Sequence, residues 1–210
     1  MGFDLFMLRT PSPLPKGYRP QTADAPRYFR LNGHAMAIVC AAINLAGAGY
    51  SDDPPEDPTP YPPPGMSEAR AETLLEALSD ACTPFQLRKG RFDARDIDAA
   101  LAMTDEETAT LREHYASVER YVRASSLREV DGRQCFGLYK LSSNDGWVVR
   151  PDECVVIAAG LTADPDDTIE WLYDSEAVDP DTDETSLRTL LSQFAQYNAA
   201  ASKFGGYRVL

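Results

Sequence analysis

The sequence predicts an α+β fold: a mainly helical single domain over residues 1–210 with a small mixed sheet. Three observations carry this. Several long segments place apolar residues at 3–4 spacing behind good N-cap residues, the signature of amphipathic helices. Both chain ends are short apolar runs suited to strands, "FDLFMLR" at 3–9 and "YRVL" at 207–210. Between them, residues 132–149 lose the helical period and are interrupted by glycines. The N-terminal strand, a hairpin near 136–149 and the C-terminal strand are therefore expected to meet in one sheet.

Taken in order, residues 3–9 are apolar on both alternating faces, which suits a strand covered on both sides. A Pro-rich connection leads to "YFRLN", with Asn32 as N-cap of a helix over 33–47 ended by Gly47 or Gly49. That helix lacks charge from Leu31 to Ser51 and is apolar nearly all round, so it is expected to be buried. "SDDPPEDPTPYPPPG" holds seven prolines in residues 54–64 and reads as a stiff loop over 51–65. Its two P-x-x-P matches carry acids where such ligands want a basic residue, so a solvated loop is the better reading. Ser67 caps a helix through Cys82, and "IDAALAM" is a further short helix. Thr104 with Glu107 forms a capping box for a helix to about 125, with Glu119 and Arg123 as a solvent-facing i,i+4 pair. Asn144-Asp145-Gly146 suits the tight turn of the hairpin. Pro151 at N1, with Asp152 and Glu153 in the first turn, opens a helix expected to end at Gly160. An acidic loop at 164–183, with one helical turn around "TIEWLYD", precedes a last helix capped by Asp183 and stopped by Gly205-Gly206.

Composition narrows the function classes. The formal charge is −13, and it is localised. Asp52, Asp53, Glu56 and Asp57 form one acidic patch; ten further acids between Asp164 and Glu184 form another, with no Lys or Arg in either. The rest of the chain is about neutral. Such a balance argues against binding nucleic acid, which needs a basic face to release phosphate counterions, and against docking on anionic lipid. The N-terminus lacks the pattern of a signal peptide, and the longest apolar run falls short of the ~20 residues of a spanning helix. The protein reads as soluble and cytoplasmic, with no membrane association. Cys40, Cys82, Cys135 and Cys154 form no C-x-x-C and only His34 and His114 accompany them, so buried free thiols are expected, with no metal and no cofactor.

The chemical motifs are thin. Asp179-x-Asp181-x-Asp183 starts like a calcium loop but has Glu184 where the loop needs Gly and Leu190 where it needs Glu. Gly47-x-Gly49 follows a helix, where a phosphate loop must follow a strand. His34, near Arg30, sits in a first helical turn, where an imidazole more often serves the backbone than catalysis. No catalytic residue is assigned, and the sequence leans away from an enzyme. The densest polar stretch is "SSNDGWVVRPDEC". With Arg30 and Asn32 it supplies the candidate binding residues Asn144, Asp145, Trp147 and Glu153.

Three blocks, "YFRLN", "SNDGWVVRPDEC" and the C-terminal "QFAQYNAAASKFGGYRV", resemble a family of small bacterial proteins of no known function. That family shares a YFRLN-like segment, an SNDGW-x-V-x-P-x-EC block and a terminal GGY-x-V. The resemblance covers about a sixth of the chain and implies a shared fold without an activity. Arg150 departs from it, standing where that pattern tends to Thr. The leading expectation is a non-enzymatic, immunity- or inhibitor-like protein-binding factor whose acidic loops dock a basic partner, since steering needs only net complementarity. The alternative is an enzyme or small-ligand binder with a pocket near Trp147.

Overall fold

In the computed structural model, which describes residues 2–11, 13–16, 18–21, 25–82, 87, 103–143 and 145–210, the chain is mainly helical with two small sheets. The elements run β1 (Gly2–Met7), β2 (Tyr28–Asn32), α1 (Gly33–Leu45), β3 (Gly49–Tyr50), α2 (Glu68–Ala81), α3 (Asp105–Val122), β4 (Arg128–Val130), β5 (Arg133–Gly137), α4 (Tyr139–Ser142), β6 (Val148–Val149), α5 (Pro151–Ala163), α6 (Pro165–Asp174), α7 (Glu184–Ala201) and β7 (Tyr207–Val209). They fall into two compact units: Met1–Pro54 with Ser125–Leu210, and Pro55–Ala124. Of the expected "IDAALAM" helix, residues 97–102 lie outside the described residues.

In the first unit the alternation of β1 decides its facing. Phe3, Leu5 and Met7 are buried, while Gly2, Asp4 and Phe6 are half-buried. The expectation of a strand covered on both sides is thereby corrected, because Phe6 stacks on the Tyr28 ring on the open face, 5.0 Å between centroids. β1 pairs antiparallel with β2 (Leu5 opposite Phe29) and with β7 (Leu5 opposite Val209), and β6 pairs with β7 (Val149 opposite Tyr207). The resulting order is β2-β1-β7-β6, so both chain ends and the segment after Trp147 share one sheet, as expected. The second sheet, β3-β5-β4, combines a parallel and an antiparallel pair.

The hairpin near 136–149 is not formed. Its arms go to different sheets, β5 to β3 and β4, and β6 to β7, with the short α4 between them. The tight hairpin sits instead at Asp131-Gly132, where Val130 pairs with Arg133 and both turn residues have positive φ (51° and 76°). That is the geometry a two-residue primed turn needs, and Asp-Gly is its preferred sequence.

Helices cover the inner face of the four-stranded sheet. α1 is capped by Asn32, whose Oδ1 accepts from Ala35 N at 2.7 Å, and buries Met36, Ile38, Val39, Ala42 and Ile43. α5 and α7 pack together and join it around Phe29, Phe194, Tyr197 and Tyr207, which contact one another as an aromatic chain in the core. Each fully buried side chain of this size contributes about 1.5–3 kcal/mol. α5 does not stop at Gly160 but continues to Ala163. Gly160 serves close packing instead, since a Cβ there would lie 2.3 Å from Ala48 Cβ. The acidic loop expected over 164–183 is also corrected. Residues 165–174 are helix α6, started by Pro165 at N1 with Asp166 and Asp167 in its first turn and held by buried Thr168, Ile169 and Leu172.

The second unit has its own core of Leu74, Leu78, Cys82, Leu87, Met103 and Leu111, between α2 and α3. The capping box forms as expected, with Glu107 N donating to Thr104 Oγ1 and Thr104 N to Glu107 Oε2. Arg70 of α2 clamps the same Glu107 carboxylate at 2.7 and 3.1 Å. Glu119 and Arg123 pair as expected, but Glu119 is buried rather than solvent-facing. The Pro-rich loop is tied down rather than free. Tyr121 donates its hydroxyl hydrogen to the Pro55 carbonyl, and Pro63 is buried. No described helix is long and apolar enough to cross a membrane.

Candidate functional site

The stretch around Trp147 organises a buried polar knot rather than a cleft. α4 points Lys140 inward and the first turn of α5 points Glu153 at it, and neither side chain has any exposed surface. Lys140 Nζ donates to Glu153 Oε1 (2.8 Å) and Oε2 (3.0 Å), and to the Val148 carbonyl (2.9 Å). Glu153 Oε1 also accepts from Ser126 N and Oγ, and Oε2 from Arg150 N at 2.6 Å. The last contact is the backbone half of a capping box, so a dipole-suited first-turn Glu is also the hub of a network. Burial pushes the Lys140 ammonium below its ordinary pKa, and the Glu153 carboxylate opposes that shift. Each lone pair and proton of the pair that meets a partner here replaces one lost from water. That is the condition under which two buried charges are tolerable.

The candidate residues are therefore dispersed. Glu153 is enclosed in this network. Trp147 is 4% exposed and stacks edge-on against Tyr139 at 5.0 Å. Asp145 is exposed, and Asn144 lies outside the described residues. Arg30 is exposed on β2, paired with Asp4 at 3.6 Å, and its backbone N–H and C=O are both engaged by the Gln21 side-chain amide. Two strands, β1 and β7, stand between Arg30 and β6, so Arg30 is about 14 Å from the Trp147 region at the usual strand spacing. Asn32 is spent as the α1 cap. A pocket combining Arg30, Asp145 and Glu153 near Trp147 does not form among the described residues, because Arg30 stands strands away beside Asp4, Asp145 lies exposed and Glu153 is enclosed with Lys140.

All four cysteines are free, Cys82, Cys135 and Cys154 buried and Cys40 partly so. Burial raises the Cys40 thiol to about 12 and Cys154 well above its ordinary value, which keeps both as unreactive thiols. In the second unit a groove of about 390 Å³ runs between Pro60 and Pro64 on one side and Thr110, Glu113, His114, Ser117 and Arg120 of α3 on the other. Glu113 and Arg120, both on α3, pair with each other at 2.7 Å on its helical side.

The surface feature that stands out is on α6. Trp171 is 39% exposed, among the few large apolar side chains left in solvent. Asp167, Glu170 and Asp174 beside it are exposed, and none has an ion-pair partner among the described residues. Asp167, Trp171 and Asp174 lie four and three residues apart, so they share one stripe of the helix. Arg188 of α7 offsets part of the local charge, binding Asp166 (2.6 Å) and Glu184 (2.7 Å). Tyr173 fixes the end of α6 by donating to the Thr182 carbonyl at 2.6 Å. Sequence reasoning passed over Trp171 by taking 164–183 as loop. The available signal was Ile169 and Leu172 at helical spacing with Trp171 off their stripe. No protein-family model, no curated protein and no solved structure matches this chain.

Proposed function

We propose that this chain is a non-enzymatic binding protein that docks a basic segment of a partner protein on the α6 face, in an immunity- or inhibitor-like role. The carrying observation is Trp171, exposed on an anchored helix between Asp167, Glu170 and Asp174. An exposed indole with Asp167 and Asp174 on the same helix stripe suits a Lys or Arg side chain. The ring face attracts the cation by about 0.5–1 kcal/mol at an exposed site, and the carboxylates supply longer-range steering. Trp is also the residue type most often found at the energetic centre of an interface. The alternative of a catalytic or small-ligand pocket at Trp147 draws no support from a tryptophan and a glutamate that are both buried.

Tryptophan fluorescence tests this directly, because Trp147 is buried and Trp171 is not. An Arg/Lys-rich peptide titrated in at about 0.02 M salt is expected to give a saturable change, lost at about 0.3 M as screening shortens to a few ångströms. Trp171→Phe removes the signal, and Trp171→Ala weakens binding measured by calorimetry about fivefold or more. A peptide that fails to bind at low salt, or binds Trp171→Ala equally well, overturns the proposal.

A further inference from the structure

The chain leaves the first unit after Pro54 and returns at Ser125, with the second unit inserted between. The two crossing segments are fastened to each other before the insertion begins. On the outgoing side, Tyr50 of β3 donates its hydroxyl hydrogen to the Ser126 carbonyl at 2.6 Å. On the returning side, the Arg128 guanidinium lies over the Tyr50 ring, 3.7 Å from its centroid, and pairs with Asp52 at 2.5 Å. Both segments are also tied to the same strand. Leu138 N donates to the Tyr50 carbonyl at 3.0 Å, and Gly137 N to Ser126 Oγ at 3.1 Å. Ser126 is held in turn by the buried Glu153 carboxylate, through N and Oγ. The junction leaves no room for a side chain at Gly137, where a Cβ would lie 2.6 Å from the Tyr139 ring and 2.9 Å from both Ser126 Cβ and Tyr50 OH.

We infer that Tyr50, Asp52, Ser126 and Arg128 form a clasp across the stem of an insertion, which insulates the first unit from the folding state of the second. Every contact of the clasp lies within the first unit, and the second unit has a hydrophobic cluster of its own. With the stem closed, the inserted unit opens or rearranges without requiring β3, β5 or the start of α5 to open with it. Without the clasp, β3, with two residues, would depend on its short parallel pairing with β5, and unfolding of the insertion would spread through it. The inference concerns cooperativity and does not depend on what α6 binds.

Hydrogen exchange on the full chain, followed peptide by peptide, tests it. Leu111→Asp places a charge in the core of the second unit, at a residue with no exposed surface. The amides of α2 and α3 are expected to exchange about tenfold faster or more, while those of β5, α5 and α7 stay within about twofold of the parent chain. Adding Tyr50→Phe and Arg128→Ala to the same chain is expected to extend the faster exchange to residues 48–54 and 125–137. Parallel loss of protection in both units of Leu111→Asp overturns the inference. So does an unchanged second unit, or a stem that stays protected when the clasp is removed.

Discussion

Lys140→Met isolates the energetic role of the buried ion pair. Glu153 would keep three donors, Ser126 N, Ser126 Oγ and Arg150 N, but lose the ammonium that neutralises it. Removing one partner of a fully buried pair costs about 3–5 kcal/mol, because the other charge stays in a dry site. The three remaining donors still favour the carboxylate, which places the expected loss near the lower end, at about 3 kcal/mol. For a unit of this size that corresponds to a melting temperature lower by about 10 °C. Glu153→Gln is also destabilising, since one acceptor oxygen becomes an NH₂ facing further donors. The double variant Lys140→Met/Glu153→Gln carries no buried charge, so it is expected to lose less than the two single losses together, by about 1 kcal/mol or more. Urea unfolding read by near-ultraviolet circular dichroism suits the measurement, because Trp147 is buried edge-on against Tyr139 beside this network. A Lys140→Met loss under about 1 kcal/mol, or strict additivity in the cycle, would refute the reasoning that the two charges face each other without water.

Two further outcomes follow from the packing and the titratable groups. Gly160→Val drives a Cβ into Ala48 and is expected to cost about 1–3 kcal/mol, with Ala48→Gly in the same chain recovering a measurable part in thermal unfolding; no recovery would show that the close approach is not the cause. The second unit is expected to lose stability on acidification in two stages. Burial pushes the His114 pKa down, with the Pro60 carbonyl opposing, so the native state takes up this proton less readily than the unfolded chain. Stability is then full above about 6.5 and falls below it. The Arg70 guanidinium, then the Thr104 backbone N–H, hold Glu107 at about 2, so its contribution is present above the unfolded value and is lost as pH falls toward about 2. Arg70→Met should flatten the second stage in exchange rates of the α3 amides, and an unaltered acid profile would argue against the Arg70–Glu107 clamp.

Local chemistry was legible wherever a residue acts through its own backbone neighbours. Asn32, Ser67, Thr104 with Glu107, and Asp183 cap helices because a short side-chain oxygen three residues from a free N–H has little else to reach. The helical stripes and the terminal strands follow from periodicity for the same reason. The α6 helix was less visible, because ten acids within 164–184 resemble a solvated loop until Thr168, Ile169 and Leu172 are seen to face the core. The hairpin was misplaced because two Gly-containing turn signals, Asp131-Gly132 and Asp145-Gly146, are alike in sequence. Only strand partners from elsewhere in the chain distinguish them.

By itself the sequence determined the α+β class, the caps, the localisation of negative charge in two segments and the free thiols. These depend on residue type and on spacing of a few positions. Only the tertiary structure decided that Glu153 faces Lys140, that Trp147 is buried while Trp171 is presented to solvent, and that Gly160 admits Ala48. It also decided that Tyr50 and Ser126, separated by the whole inserted unit, meet at one hydrogen bond. Such contacts depend on which distant surfaces close on each other, and no local period encodes that pairing.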